Sequence, residues 1–275
     1  MVEVAQGVRL RVRRWPGAGL PFVLVHGLSS NALLWDGVAA ELRTAGHPVC
    51  AVDLRSHGES DAPAEGYDTA TAAADVAVVC ERLGLAPAVV AGQSWGGNVV
   101  VRLAARHPER VAALALVDGG WIDLAADFAD WAECERTLRP PDVGHLRPDD
   151  LRGYLRNGHP DWPPAAVEAT LANLRVTADG YLERRLSIPR HMRIVRSMWD
   201  DPPWPDYPTI TAPVALIPAI PEDPEGAERR RVKVTKAARA LARSRVREYV
   251  GADHDLHAQH PVALAMDLLD LAREA

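Results

Sequence analysis

The sequence predicts a doubly wound α/β fold, a mostly parallel sheet carrying helices on both faces. Three observations predict it. Short uninterrupted apolar runs, Phe22-Val23-Leu24-Val25 among them, suit strands buried on both faces of a parallel sheet. Stretches of helical periodicity separate these runs at the spacing of βαβ units. Between residues 121 and 208 the rhythm stops, and it resumes at Pro213-Val214-Ala215-Leu216-Ile217. In a chain of 275 residues this points to one large domain with an insertion.

Residues 2–4 and 8–15 alternate apolar with polar side chains around Gly7, as in an antiparallel hairpin. The run at 22–25 ends in His26-Gly27-Leu28-Ser29-Ser30-Asn31, and a helix is expected over 32–45. A strand over 49–54 leads into Asp53-Leu54-Arg55-Ser56-His57-Gly58-Glu59-Ser60, and helical periodicity returns over 69–83. Further strands are predicted at 88–91, 111–117, 214–217 and 246–250, with helices over 98–106, 227–242 and 261–273. The 121–208 stretch holds five of the eight tryptophans (121, 131, 162, 199 and 204), many prolines and helix-like pieces at 124–138 and 180–198. No strand is expected in it. The organisation predicted is a core of residues 1–120 and 209–275, with a helical cap over 121–208.

The net charge of −6 argues against nucleic acid as a partner. No run of about 18 apolar residues exists, so no membrane span is expected. The start Met1-Val2-Glu3-Val4 lacks the basic-then-apolar layout of a signal peptide, and the expected compartment is the cytoplasm. Cys50, Cys80 and Cys134 are odd in number and widely spaced, which reads as free thiols.

The chemistry-bearing stretch is Gly92-Gln93-Ser94-Trp95-Gly96-Gly97, between the strand at 88–91 and the helix that follows. G-x-S-x-G between strand and helix is the signature of a nucleophile elbow: a serine at a tight, strained turn, with small neighbours two residues either side. The hydroxyl then lies at a helix N-terminus, where backbone N–H groups and the dipole favour an anion. The plain alternative is a glycine-rich turn whose serine only caps the helix.

With these residues in their order, the chain resembles the α/β-hydrolase superfamily, over essentially its whole length. The matching pieces are His26-Gly27, Asp53-x-Arg55-x-His57-Gly58-x-Ser60, Gly92-x-Ser94-x-Gly96, the cap and a histidine after the last strand. Ser56 departs from the pattern, standing where glycine is common. The resemblance implies an eight-stranded sheet with the cap inserted after the sixth strand. It makes Ser94 the nucleophile and His254, seven residues before Pro261, the general base. His257 and His260 are assigned to the loop or helix start, and a metal cluster of the three is discounted for want of ligand spacing. His26 and His57 read as turn residues.

The family places the triad acid after the sixth or the seventh strand. Asp118, at the end of the sixth, is preferred; Glu222 and Asp223, after the seventh, are the alternatives. The oxyanion donors implied are the backbone N–H groups of Leu28 and Trp95. Serine in place of aspartate at the elbow points to acyl transfer rather than attack on an sp³ carbon. The function expected is hydrolysis of an ester, lactone or related acyl bond in a small, largely apolar substrate. No cofactor or metal is implied, and a monomer or homodimer is expected. Carbon–carbon bond hydrolysis and thioester cleavage use the same triad. From another class stands a receptor-like protein that binds a ligand without turning it over. The cap tryptophans suit either an apolar pocket or packing against the core, and the arginines between 184 and 196 suit a solvated face better than an acidic substrate.

Overall fold

The computed structural model describes residues 1–275. Its elements run in the order β1 (Val2–Ala5), β2 (Val8–Leu10), β3 (Val12–Trp15), β4 (Phe22–Val25), α1 (Asp36–Thr44), β5 (Val49–Val52), α2 (Thr69–Arg82), β6 (Ala88–Gln93), α3 (Trp95–Arg106) and β7 (Val111–Val117). Then come α4 (Leu124–Asp127), α5 (Trp131–Leu138), α6 (Pro148–Gly158), α7 (Pro164–Leu171), β8 (Leu174–Val176), β9 (Leu182–Arg184) and α8 (Ile188–Asp200). The chain closes with β10 (Val214–Ile217), β11 (Ala219–Ile220), α9 (Pro224–Ala240), β12 (Ser244–Val246), β13 (Tyr249–Val250), α10 (Leu256–Gln259) and α11 (Pro261–Ala272).

The central sheet has seven strands, ordered β12-β10-β7-β6-β4-β5-β3, and only the β3–β5 pair is antiparallel. The eighth strand expected is missing because the first hairpin folds apart. Arg9 and Arg11 give their backbone groups to the turn after β5: Arg9 N–H to Asp61, Arg11 N–H to Ser60 Oγ, and the Arg11 carbonyl to Asp53 N–H. That leaves β1 and β2 as a separate pair. Every residue of β4, β5, β6 and β10 is buried, as their unbroken apolar runs require. One apolar layer joins the sheet to α2, α3 and α8, and the other packs it on α1 and α11.

Three further expectations are corrected. The piece at 124–138 is two helices, since Asp130 breaks it by capping α5 with its carboxylate on Glu133 N–H. The piece at 180–198 begins as a strand: Asp179-Gly180, with Gly180 at φ +81°, turns a β8–β9 hairpin inside the supposedly strandless insertion. The single strand at 246–250 is two, in different sheets. Pro218, which has no N–H to give, interrupts the ladder, so that β11 and β13 pair beyond the end of β10 and β12. No helix is long and apolar enough to cross a membrane. The three cysteines are free and buried.

The topology sets where a site can form. The chain adds β5 on one side of β4, then crosses to add β6 on the other. The loops after β4 and β6 therefore part at a switch point of the sheet, where open α/β sheets leave a crevice.

Candidate active site

Ser94 stands at that crevice. Its backbone takes φ +53°, ψ −124°, a region costly for a residue with a Cβ. Tight packing holds it there. A Cβ on Gly92 would strike the Gly96 carbonyl, one on Gly96 the His26 carbonyl, and one on Gly119 the backbone of Ser94 itself. Ser94 N–H also bonds the Val117 carbonyl at 3.0 Å. The serine is thus fixed between the ends of β4 and β7, at the start of α3.

Gly27 lies directly against it, since a Cβ there would meet Ser94 Cβ at 2.9 Å. The next residue is Leu28, whose N–H has no intramolecular acceptor, and the N–H of Trp95 is an orphan of the first turn of α3. Two N–H groups without an intramolecular acceptor therefore belong to residues adjoining the serine or the glycine packed on it.

The loop behind them is braced by two neutral histidines. His26 Nδ1 bonds the Gly27 carbonyl and its Nε2 accepts from Leu54 N–H; His57 bonds the Arg55 carbonyl and accepts from Ser29 N–H. Burial lowers the pKa of His26 and pushes that of His57 well down, so both hold these tautomers. Ser56, the departure from the family pattern, has φ +60°, which accounts for glycine at such a position. Its Oγ bonds Tyr67 OH at 2.8 Å.

The other half of the site is a corner of side chains. His254 lies in the loop after β13, and its Nδ1 bonds Asp118 Oδ2 at 2.6 Å. The Asp118 side chain is 0% exposed and that of His254 is 54% exposed. Oδ1 of Asp118 accepts from Ala219 N–H at 3.1 Å and from Arg230 Nη1. With a carboxylate on Nδ1, the imidazole carries its proton there and leaves the Nε2 lone pair free. Although half-exposed, the His254 ring sits among enough protein atoms that desolvation would lower its pKa; the hydrogen bond and charge of Asp118, helped by Asp255, outweigh that and the opposing Arg230 cation and raise it. The His254 carbonyl accepts from Gln93 Nε2 at 3.1 Å, which ties this loop to the residue before Ser94.

The alternative acids do not reach the imidazole. Asp223 caps α9, accepting from Gly226 N–H at 2.6 Å, and exposed Glu222 lies beside Gly251. The other two histidines diverge. His260 precedes α11, whereas His257 is buried against Trp35 with ring centroids 4.6 Å apart. Neither ring nitrogen of His257 has a partner, and burial drives its pKa down to about 3. No group of three or more His, Cys, Asp or Glu side chains is placed to hold a metal ion.

The cap grips both halves. His191 of α8 bonds the Ser29 hydroxyl at 2.9 Å, one residue past Leu28. His159 Nδ1 and Trp162 Nε1 both bond Asp253 Oδ2 at 2.7 Å, one residue before His254. A cavity of about 620 Å³ opens between the cap and Ser29, with Val143, Leu146, Leu151 and Leu174 for its apolar lining and Arg184 and His145 among its polar residues. None of the five cap tryptophans lines it. Trp131 packs edge-on against Trp199, Trp121 is core, Trp204 bonds Asp123, and Trp162 bonds Asp253, forming with His159 a latch on the loop that carries His254. Arg190 and Arg193 bond carbonyls of the loop before α2, and Arg196 pairs with Asp200, so most of the arginine segment is a surface brace.

Sequence reasoning missed Arg230, Gln93, His191 and His159, and offered Trp162 only for a pocket or for packing. Each acts through a partner far along the chain, and of the four missed only Gln93, inside the elbow motif, stood near a signal.

A strained serine after a buried strand, with an Asp–His pair in a loop bonded to the residue before it, is the arrangement of an α/β hydrolase. The chain belongs to that family: the family model for the alpha/beta hydrolase fold matches residues 21–178. The chain is 31% identical to lipase LipV of Mycobacterium tuberculosis over 218 residues, 78% of this chain and 80% of that one. It is 42% identical to a non-heme chloroperoxidase of Streptomyces lividans over 118 residues, 42% of this chain and 43% of the other. That match and others like it span less than half the length of the curated relatives concerned. Among solved structures, that of E-2-(acetamidomethylene)succinate hydrolase superposes with a TM-score of 0.80 at 23% identity, covering 99% of this chain and 97% of that one.

Proposed function

We propose that the protein is a serine hydrolase that cleaves a carboxylic ester, lactone or related acyl bond of a small, largely apolar substrate. The observation that carries this reading is the bond from Asp118 Oδ2 to His254 Nδ1, in a loop tied to the strained Ser94 elbow. Ser94 Oγ attacks the carbonyl carbon while His254 Nε2 takes its proton. The oxygen of the tetrahedral intermediate gains negative charge and is met by the N–H groups of Leu28 and Trp95, each such donor contributing about 3 kcal/mol to the barrier reduction. His254 returns the proton to the leaving alcohol. Water then repeats the sequence on the acyl-enzyme, and Asp118 stays ionised throughout, stabilising the imidazolium. A thioester fits the same steps. The cavity beside Ser29 is in the size range of small-molecule sites and partly leucine-lined; neither Ser94 nor His254 lines it, so its use here is for a substituent remote from the scissile bond.

A fluorophosphonate probe tests the reading, with the adduct located by mass spectrometry. The expected result is an adduct on Ser94 that disappears in His254→Ala, together with turnover of p-nitrophenyl esters abolished by Ser94→Ala. Absence of both on folded protein would overturn the hydrolase reading in favour of a ligand-binding protein without turnover.

A further inference from the structure

Helix α9 carries a dense set of cations, and all but one of those with a partner pair near the surface. Arg229 pairs with Glu225, Arg231 with Glu248, Lys233 with Asp127, and Lys236 sits over the Trp204 ring. Arg230 turns inward instead. Its side chain is 32% exposed, yet Nη1 reaches Oδ1 of Asp118, a carboxylate with no exposure at all. Asp118 thus accepts from Ala219 N–H and Arg230 on one oxygen and from His254 on the other.

We propose that Arg230 is the positioning residue of the triad acid: it clamps Oδ1 so that Oδ2 faces the imidazole, and it withdraws part of the negative charge that His254 feels. This rests on the triad reading above. A carboxylate held by one N–H on Oδ1 can rotate and exchange its oxygens; a guanidinium adds a charge-assisted bond and closes that freedom. The same cation opposes protonation of His254, against Asp118 and Asp255; the nearby His257 is buried against Trp35 and kept neutral by that burial. The outer face of Arg230 opens on a groove of about 940 Å³, shared with Asp223, Glu225, Glu228, Arg229 and Lys233. The clamp is therefore reachable from solvent.

The test compares the wild type with Arg230→Met and Arg230→Lys, following His254 by NMR through a pH titration and, separately, the rate of fluorophosphonate labelling of Ser94 against pH. In Arg230→Met the His254 pKa should rise by about half a unit to one unit. The acidic limb of labelling should move by the same amount, and the plateau should fall several-fold. Arg230→Lys should keep the pKa near the wild-type value while losing part of the plateau. Guanidinium ion in solution should restore part of what Arg230→Met loses. An unchanged His254 pKa in Arg230→Met overturns the proposal, whatever happens to labelling or to Tm. A shifted pKa in a protein whose wild type neither labels nor turns over esters upholds the clamp and defeats the hydrolase reading instead.

Discussion

The two halves of the site are built in opposite ways. The elbow is a backbone device: Ser94 is held at φ +53° by glycines that let β4, β7 and α3 close around it. The Asp118–His254 corner is a side-chain device, assembled from the end of β7, a helix, a late loop and the cap. Backbone constraint is local and nearly all-or-none, because a misplaced Cβ meets main chain that cannot move aside. Side-chain constraint is distributed, so its removal should be graded. The two kinds of failure can be told apart.

The sharpest break of the elbow is Ser94→Gly. Activity should fall by a factor on the order of 10⁴ or more, as for loss of a triad nucleophile. Stability should move the other way, rising by about 1 kcal/mol as the strained angles become permissible, which is roughly 2–4 °C in Tm for a domain of this size. Calorimetry beside ester turnover checks both; a lower Tm would mean that the serine angles store no strain.

At the corner, Asp118→Asn should lower kcat by about 10⁴, because an amide can donate to Nδ1 and install the wrong tautomer. Glu222→Gln should leave kcat within about two-fold, since its exposed carboxylate is not bonded to His254. Asp223→Ala should cost only the α9 cap, about 1 kcal/mol of stability. Equal losses in kcat at Asp118 and Glu222 would sink the assignment. The pH profile follows from the same bond. His254 must be neutral to accept the serine proton, and its pKa is raised, mainly by Asp118 against burial. kcat/KM should therefore fall with acid along a limb lying above the ordinary imidazole value of about 6.5.

This contrast also explains what was legible. Gly92-x-Ser94-x-Gly96 and His26-Gly27 are contiguous, and a turn that demands small residues writes itself into adjacent positions. The buried strands were legible for the same reason. The main sheet lost a strand because Arg9 and Arg11 bond a turn some fifty residues away, which no local pattern reports. The cap hairpin did carry a local sign, Asp179-Gly180, and was obscured because its flanking strands are only three residues long. Asp118 was preferred to Glu222 as a strand-end carboxylate, but only by a narrow margin; what separates them in the structure is the bonding of Asp118 to Arg230 and Ala219, both more than a hundred residues away in the chain.

The latch offers a finer test of how much the corner depends on the cap. His159 and Trp162 both hold Asp253 Oδ2, beside His254, so Trp162→Phe removes one of two donors and keeps the ring packing. A neutral hydrogen bond to a carboxylate at a part-exposed site is worth about 1–2 kcal/mol, and only part of that reaches His254. The expected loss in kcat/KM is a few-fold. Asp253→Ala, which frees both partners, should exceed it.

The smallest effect on turnover belongs to His257, a neutral buried ring whose contact is with Trp35. His257→Phe should leave kcat unchanged within about two-fold. Stability against pH is where it should register. The folded pKa is depressed to about 3 by burial, whereas an unfolded imidazole titrates near 6.5. Between those values the unfolded chain binds a proton that the native ring refuses, so acid favours unfolding. The native state is stabilised above the unfolded pKa and loses up to about 1.4 kcal/mol per pH unit below it. Replacing the ring removes this one proton from the slope of ΔG against pH. Urea denaturation at pH 7 and at pH 5 reads the difference directly. If wild type and variant lose stability equally between those two values, His257 takes up its proton without unfolding, and the corner around His254 is more open to water than the buried ring implies.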